Sequence, residues 1–131
     1  MLFRSRPGGR LLVSTLLEGT LDELREAWYR ADPGHQHVNR FEPEARFREL
    51  AFETLPAPQL AIETISLDYP SPLALLAELK AIGAGYKGVS RRQSATAPGR
   101  LRAMCGYYPQ NGEGRIQATY TSAWLSCCLP D

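Results

Sequence analysis

The spacing of apolar residues along the chain first predicts three β-strands. A short apolar run at Leu11–Val13 follows a tight turn at Arg6–Gly9 and has the character of a central, parallel strand buried on both faces. A second strand is predicted at Gln59–Tyr69, where the apolar phase switches, which indicates either a bulge or burial of both faces. The third strand is predicted at Ile116–Cys128 because its apolar residues alternate. One of its faces carries Ile116, Ala118, Tyr120, Ser122 and Trp124.

Helical periodicity and helix-end signals predict two helices between the first two strands. Thr20 and Glu23 have the spacing of a capping box, and the apolar face that follows predicts a helix at Leu21–Arg30. Pro43 fits the first position of a second helix, which runs to about Phe52.

A third helix is predicted directly after the second strand. Ser71 is its expected N-cap, Pro72 its first residue and Gly83 its expected stop. The predicted buried stripe of this helix consists of Leu75, Leu76, Leu79 and Ile82. A polar and basic loop at Tyr86–Gly99 then leads to a short helix at Arg100–Tyr107. Strands and helices in this order predict an α/β architecture.

The composition is that of an ordinary globular protein. Of 131 residues, 44% are hydrophobic and 22% are charged, so residues 1–131 are expected to form a single domain with a buried core. The net charge of +1 lacks the strong basic excess typical of nucleic-acid-binding proteins. No apolar run has the length of a signal-peptide core or a membrane span, which predicts a cytoplasmic protein that binds no membrane.

The cysteines and histidines lack the spacing of a metal site. Cys105, Cys127 and Cys128 are odd in number and contain no CxxC pair, so we expect buried or half-buried thiols and no zinc site. His35 and His37 could share a strand face, but two histidines alone are too few ligands for a metal ion.

Three segments of the chain together resemble one enzyme family. Arg6–Thr15 is similar to the Pro-Gly-Gly turn and the strand after it in class I methyltransferases. His37–Phe41, which reads His-Val-Asn-Arg-Phe, and the preceding Gly19–Trp28 resemble the malonyl-acyl carrier protein O-methyltransferases of biotin biosynthesis. Leu79–Ala84 resembles the helix that this family places between its last two strands. The resemblance covers about residues 6–126.

This resemblance implies the C-terminal half of a class I methyltransferase fold. We expect the last three strands of a Rossmann-like sheet with a substrate-side helical insertion, and the third strand antiparallel between the other two. The family's half that binds S-adenosylmethionine is not matched, because no G-x-G-x-G loop follows a strand and Gly83–Gly85 follows a helix. The first strand would then lack its usual neighbour, which predicts self-association or binding to a partner.

The resemblance also implies a substrate site on the insertion. Arg40 could hold the free carboxylate of a malonyl thioester with two hydrogen bonds, or it could be a surface arginine paired with Glu42 or Glu44. His37 could orient the substrate or a lid, or be an ordinary loop histidine. Asn39 could contact the substrate or simply turn the chain.

Further candidates are a basic patch and three aromatic residues. The patch could receive the acidic acyl carrier protein or be a solvated loop. It consists of Lys80, Lys87, Arg91 and Arg92. The aromatic residues could line an acyl pocket but are more typical of a core. They are Trp28, Tyr69 and Trp124. No residue is predicted to be catalytic, because a malonyl carboxylate is already ionised at neutral pH.

Two functions remain open from the sequence. The chain could be the C-terminal portion of a malonyl-acyl carrier protein O-methyltransferase that uses S-adenosylmethionine when complete and that binds no cofactor and is inactive as this chain alone. Alternatively, it could be a non-catalytic module that binds acyl carrier protein or a separate N-terminal methyltransferase half. Restoration of a cofactor pocket on mixing with such a half would favour the first function. A gene remnant without function would yield no stable protein.

Overall fold

The residues that the structure describes form a three-stranded sheet and four helices, which confirms the predicted α/β architecture. The computed structural model describes residues 6–86, 88 and 96–130. The strands are β1 (Arg10–Leu16), β2 (Gln59–Tyr69) and β3 (Ile116–Cys128). The helices are α1 (Asp22–Ala31), α2 (Glu44–Thr54), α3 (Pro72–Ala81) and α4 (Pro98–Tyr107).

The sheet has the strand order β1-β3-β2. β3 runs antiparallel to β1, with a register that starts at Arg10 opposite Cys128 and ends at Leu16 opposite Ser122. The expectation that the third strand lies between the other two is therefore confirmed. β1 and β2 form the two edges of the sheet.

Contacts divide the described residues into two compact units. The first unit contains residues 6–18, 41–65 and 121–130, and the second contains the described part of 19–40 and 66–120. Buried apolar side chains of the first unit are Leu17, Ala51, Ala123, Leu125 and Cys127. Those of the second unit include Leu24, Ala27, Trp28, Leu75, Met104 and Ile116. That residues 1–131 form a single domain stays a prediction.

The burial of the edge strands differs from the expectation. In β1 exposed and half-buried residues alternate and none is buried, with Leu12 71% exposed. The prediction of a central, parallel strand buried on both faces is wrong, because β1 lies at an edge of the described sheet, runs antiparallel to β3 and contains no buried residue. In β2 all residues from Glu63 to Asp68 are exposed, so burial of both faces is wrong there as well. Its last residue, Tyr69, is buried.

α1 starts differently from the predicted capping box. It begins at Asp22, and the preceding Leu21 has a left-handed backbone with φ of 58° and no side-chain cap. The carboxylate of Glu23 accepts hydrogen bonds from the backbone N–H and the hydroxyl of Thr119 in β3. The capping-box prediction is wrong because a tertiary contact takes up the carboxylate that the local motif would use.

α3 has the predicted ends. The Oγ of Ser71 accepts a hydrogen bond from the backbone N–H of Ala74 at 3.1 Å, which confirms Ser71 as N-cap. Gly83 follows the helix with φ of 72°, a conformation that favours glycine. Two leucines of the predicted stripe are buried, Leu75 and Leu79. Ile82 is 70% exposed and lies beyond the helix, so its place in the stripe is wrong.

The other helices differ from the predictions mainly at their starts. Pro43 is the N-cap of α2 and not its first residue. α4 begins at Pro98, within the predicted loop, because proline fits the first helical turn, where its missing N–H is not needed.

No helix among the described residues is long and apolar enough to cross a membrane. The three thiols are free, but Cys128 is exposed, which corrects the expectation of burial.

Candidate functional site

The segment after α1 carries the predicted substrate-binding residues, and His37 anchors it. The imidazole of His37 is stacked on the indole of Trp28, with ring centroids 3.9 Å apart and planes within 10°. Its Nε2 lies 2.8 Å from Oδ2 of Asp32. Because a carboxylate can only accept, Nε2 carries the hydrogen and donates it. One contact fixes the ring plane and the other its rotation, so His37 has a defined orientation.

Asp32 is the buried centre of this arrangement, with only 2% of its surface exposed. Its Oδ1 lies 3.3 Å from Nδ1 of His35 and 3.3 Å from Nε of Arg100 in α4. A buried carboxylate is costly without such partners. Both histidines thus face one carboxylate, and the described residues contain no group of three or more His, Cys, Asp or Glu able to hold a metal ion.

Asp32, which follows α1 directly, is not singled out by the sequence analysis. A signal was present, since one acidic residue at a helix end is followed by histidines three and five positions later. An aspartate that ends a helix is common, however, and the pattern alone does not indicate burial.

Asn39 joins the segment to the loop after α3. Its Nδ2 donates to the carbonyl of Gly85 at 3.4 Å, and its own carbonyl accepts from Nη2 of Arg25 at 3.0 Å. Beside it, the hydroxyl of Tyr86 donates to Oε1 of Gln36 at 2.8 Å. The side chain of Asn39 therefore makes a contact between two segments, in addition to any part in substrate binding.

Arg40 is exposed and belongs to no ion pair among the described residues. Glu44, one of the partners considered for it, pairs with Arg48 inside α2 at 3.0 Å. Arg40 thus follows directly after a braced residue, Asn39, with a guanidinium that is available to an anion. A guanidinium offers two parallel donors to a carboxylate.

Of the four residues of the predicted carrier-protein patch, the structure describes Lys80. Lys80 lies exposed in the last turn of α3. Lys87, Arg91 and Arg92 lie outside the described residues, so the patch stays a prediction.

The three aromatic candidates have different environments. Trp28 and Tyr69 are buried, which agrees with a core position. The hydroxyls of Tyr69 and Tyr120 are 3.0 Å apart, and burial, aided by this hydrogen bond, raises the pKa of Tyr69 above its ordinary value. Trp124 is 49% exposed, so its interpretation as a core residue is wrong.

A polar cavity of about 390 Å³ in the second unit lies apart from the predicted site residues. Its lining includes Glu23 and Asp68. The carboxylate of Glu23 accepts a hydrogen bond from the backbone N–H of Thr119. Oδ2 of Asp68 accepts a hydrogen bond from Nε of Arg115 at 2.6 Å. Both carboxylates are thus held by protein partners. A cavity of about 270 Å³ in the first unit also contains none of the predicted residues.

The described glycines are spread along the chain and form no G-x-G-x-G loop. Gly8 and Gly9 precede β1, Gly83 and Gly85 follow α3, and Gly19 lies singly between β1 and α1. A nucleotide-type cradle needs glycines between the end of a strand and the start of a helix. Gly19 therefore stands where such a cradle would lie, but without the further glycines of the motif.

No family model matches the chain, but comparison with known proteins finds relatives that are similar to it. The chain is 36% identical over 120 residues to the malonyl-[acyl-carrier protein] O-methyltransferase of Serratia marcescens, which covers 92% of the chain and 46% of that relative. It is 49% identical over 80 residues to the same enzyme of Methylococcus capsulatus, covering 60% of the chain and 29% of the relative. It is also 37% identical over 123 residues to the biotin biosynthesis bifunctional protein BioHC of Saccharophagus degradans. This match covers 88% of the chain and 22% of that relative. The chain thus spans at most about half the length of these relatives, and the resemblance drawn from the sequence is confirmed.

Proposed function

We propose that the chain is the C-terminal, substrate-side half of an O-methyltransferase that esterifies the free carboxylate of a malonyl group on acyl carrier protein. The complete protein uses S-adenosylmethionine, and this chain alone transfers no methyl group. The similarity to the Serratia enzyme over 92% of the chain carries the proposal.

The segment after α1 supports the proposed substrate role. His37 is fixed by Trp28 and Asp32, and Asn39 is tied to Gly85. Arg40 follows as an exposed guanidinium that forms no ion pair with a described residue. Because its neighbours are already held, little conformational freedom is lost when an anion binds there. In this proposal Arg40 holds the malonyl carboxylate, and His37 and Asn39 keep the segment in place.

The chain's own residues suffice for binding and positioning in this reaction. A malonyl carboxylate is ionised at neutral pH, so no general base is needed to make it a nucleophile. What remains is to orient the carboxylate and to exclude water from it. A single glycine, Gly19, lies between β1 and α1, so in this proposal the rest of the complete protein holds the cofactor.

A reconstitution experiment tests this function. The chain is assayed with malonyl-acyl carrier protein and methyl-labelled S-adenosylmethionine, first alone and then joined to the half of the Serratia enzyme that it does not match. We expect labelled methyl ester only from the joined protein. Carrier-protein binding by the chain, with no methyl ester from the joined protein, would instead favour a non-catalytic binding module.

A further inference from the structure

Arg100 in α4 is held by Asp32, the buried residue that follows α1. Its Nε lies 3.3 Å from Oδ1 of Asp32, whose side chain is 3% exposed, whereas the side chain of Arg100 is 45% exposed. Arg100 forms no other ion pair or side-chain hydrogen bond with a residue that the structure describes. One nitrogen of its guanidinium thus has a fixed partner, and the two Nη groups have no described partner.

The contact with Asp32 orients Arg100 before any ligand binds. An arginine side chain has many rotamers, and their loss on binding opposes affinity. The ion pair with a buried carboxylate has already removed part of this freedom. The guanidinium therefore binds an anion with a smaller loss of entropy than that of an unattached surface arginine.

The negative charge of Asp32 is covered by the groups around it. His37 donates to its Oδ2, and nitrogen atoms of His35 and Arg100 both lie 3.3 Å from its Oδ1. Asp32 itself is 2% exposed. An anion that approaches the Nη groups of Arg100 therefore meets the donors around the carboxylate and not the carboxylate itself.

The two segments next to this ion pair contain no acidic residue that would oppose an anion. α4 contains two arginines, Arg100 and Arg102, and no aspartate or glutamate. Residues 33–40 contain no aspartate or glutamate either, and they end with Arg40. This charge pattern favours an anionic ligand.

The carrier-bound substrate of the proposed function has an anionic group for each arginine. Two parallel N–H donors of a guanidinium match two oxygen atoms of a carboxylate or a phosphate. Arg40 is assigned to the free carboxylate of the malonyl group, whose other carboxyl group forms the thioester. The remaining anion of such a substrate is the phosphodiester that attaches its arm to the carrier protein, and this group suits Arg100.

The spacing of the two arginines suits a ligand with two separated anionic groups. Arg100 pairs with Asp32, which also accepts a hydrogen bond from His37. Arg40 follows His37 by three residues. Three extended residues span at most about 11 Å. The two guanidinium groups are therefore close enough for the extended arm of one substrate to reach both.

We propose that Arg100, held by Asp32, binds a phosphate ester, and that this ester is the phosphodiester of the arm that carries the malonyl thioester. The identity of the ester rests on the proposed function, whereas the binding of a phosphate group by Arg100 does not. Arg40 then holds one end of the substrate and Arg100 the other. Arg100 touches no reacting atom, so it contributes to substrate binding and not to the chemical step.

Binding of substrate fragments tests the site without any methyl transfer. The full chain is titrated with pantetheine 4′-phosphate and with pantetheine, which lacks the phosphate, while NMR follows the side-chain Nε–H resonance of Arg100. The phosphate ester is expected to shift this resonance and to bind at least about 10-fold more tightly, as one charged hydrogen-bonded contact predicts. Equal binding of the two compounds overturns the site.

Substitutions on α4 identify the residue that binds the phosphate. Arg100→Gln is expected to remove the preference for the phosphate ester, and Arg100→Lys to restore part of it, since lysine lacks the paired donors. Arg102→Gln is the matched control, because Arg102 is exposed on the same helix, and it is expected to keep the full preference. A preference that survives Arg100→Gln overturns the assignment. If circular dichroism shows that Arg100→Gln does not fold, the Arg100 resonance of the unchanged chain decides between these outcomes.

Inorganic phosphate distinguishes the source of the ligand. The arm adds contacts that a free phosphate ion lacks, so pantetheine 4′-phosphate is expected to bind at least about 10-fold more tightly than inorganic phosphate. Equal affinity for the two would show that the site recognises free phosphate, and it would overturn the assignment to the arm.

Kinetics of the joined protein separate this site from the proposed function. Arg100→Gln is expected to raise KM for malonyl-acyl carrier protein about 10-fold and to leave kcat nearly unchanged, because the phosphate is remote from the carboxylate that is methylated. An unchanged KM would overturn the site and leave the function intact. Phosphate binding at Arg100, with no methyl transfer by the joined protein, would support the phosphate site and contradict the function.

Discussion

The carboxylate of Asp32 accepts a hydrogen bond from Nε2 of His37 across a separation of 2.8 Å, at the point where the chain leaves α1. The bond is short, and Asp32 is 2% exposed, so water competes little for either atom. It therefore determines how the chain enters the segment that leads to Arg40.

Replacing Asp32 by asparagine is expected to lower the free energy of unfolding by about 2–4 kcal/mol, because it removes the charge that His35, His37 and Arg100 face in a buried position. Urea unfolding followed by circular dichroism measures the change. Glu49→Gln is the control, since Glu49 pairs with Arg46 at the surface, where solvent screens the two charges and the pair adds little stability. Equal costs for the two variants would contradict the assigned role of Asp32.

Glu23→Gln tests the contact that replaces the capping box. Glutamine keeps one acceptor oxygen but presents its NH₂ group to a donor of Thr119. The free energy of unfolding is therefore expected to fall by about 1–2 kcal/mol. The amide of Thr119 should then exchange faster with deuterium. Glu26→Gln, on the same helix but in an exposed pair with Arg30, is expected to leave that amide unchanged. An unaltered Thr119 amide in Glu23→Gln would argue against the contact.

Arg40→Ala separates substrate binding from stability. Arg40 is exposed without an ion pair to a described residue, so its loss is expected to change the unfolding free energy by less than about 0.5 kcal/mol. In the joined, active protein, kcat/KM for malonyl-acyl carrier protein is expected to fall about 10- to 100-fold, which corresponds to one charged hydrogen-bonded contact.

Arg102→Ala is the matched control for this experiment, because Arg102 is an exposed arginine on α4. It is expected to retain the activity of the unchanged protein. Arg40→Lys should recover only part of the loss, since lysine lacks the two-pronged geometry of the guanidinium. Full activity of Arg40→Ala would remove Arg40 from the substrate site.

The buried hydroxyl of Tyr108 is expected to make the folded chain less stable at alkaline pH. Its hydroxyl donates to the carbonyl of Gln117 at 2.8 Å, and burial, with a smaller effect from the charge of Glu23, raises its pKa well above the ordinary value. The folded state therefore keeps its proton where the unfolded state loses it. Stability from this group is complete below about pH 10 and falls above it by up to about 1.4 kcal/mol per pH unit.

Unfolding free energies of Tyr108→Phe and the unchanged chain between about pH 8 and 11 check this expectation. The variant should be less stable by about 1 kcal/mol near pH 8, because the carbonyl of Gln117 loses its donor. The difference should shrink as the pH rises. Parallel curves would show that the hydroxyl of Tyr108 does not ionise on unfolding in this range.

The sequence predicts the elements better than their burial. β2 and β3 have the predicted bounds because alternation and turn residues act over a few positions. Whether Leu12 or Trp124 is covered depends on residues far away in sequence or in another polypeptide, and periodicity does not contain that information. β1 was therefore placed at the correct position with the wrong environment.

The candidate site shows the same division. The resemblance singles out His37, Asn39 and Arg40 as candidates, since a short motif is visible in one sequence. The contacts of His37 with Asp32 and of Asn39 with Gly85 are not visible there, because each depends on the folded chain. Glu23 shows most clearly that a local pattern can be overridden by the fold. Its spacing from Thr20 fits a capping box, but its carboxylate accepts a hydrogen bond from Thr119.

The bond between Glu23 and Thr119 has a consequence for the order of folding during synthesis. The two residues are 96 positions apart, so α1 leaves the ribosome long before its partner on β3 exists. At usual rates of translation the delay is roughly 5 to 20 s. Leu21 has a left-handed backbone without a local cap, so the first turn of α1 stays unanchored during this interval. A ten-residue helix without its tertiary contacts is only marginally stable in water, so the apolar residues of α1 stay exposed on the nascent chain. This is the stage at which a chaperone would be most useful.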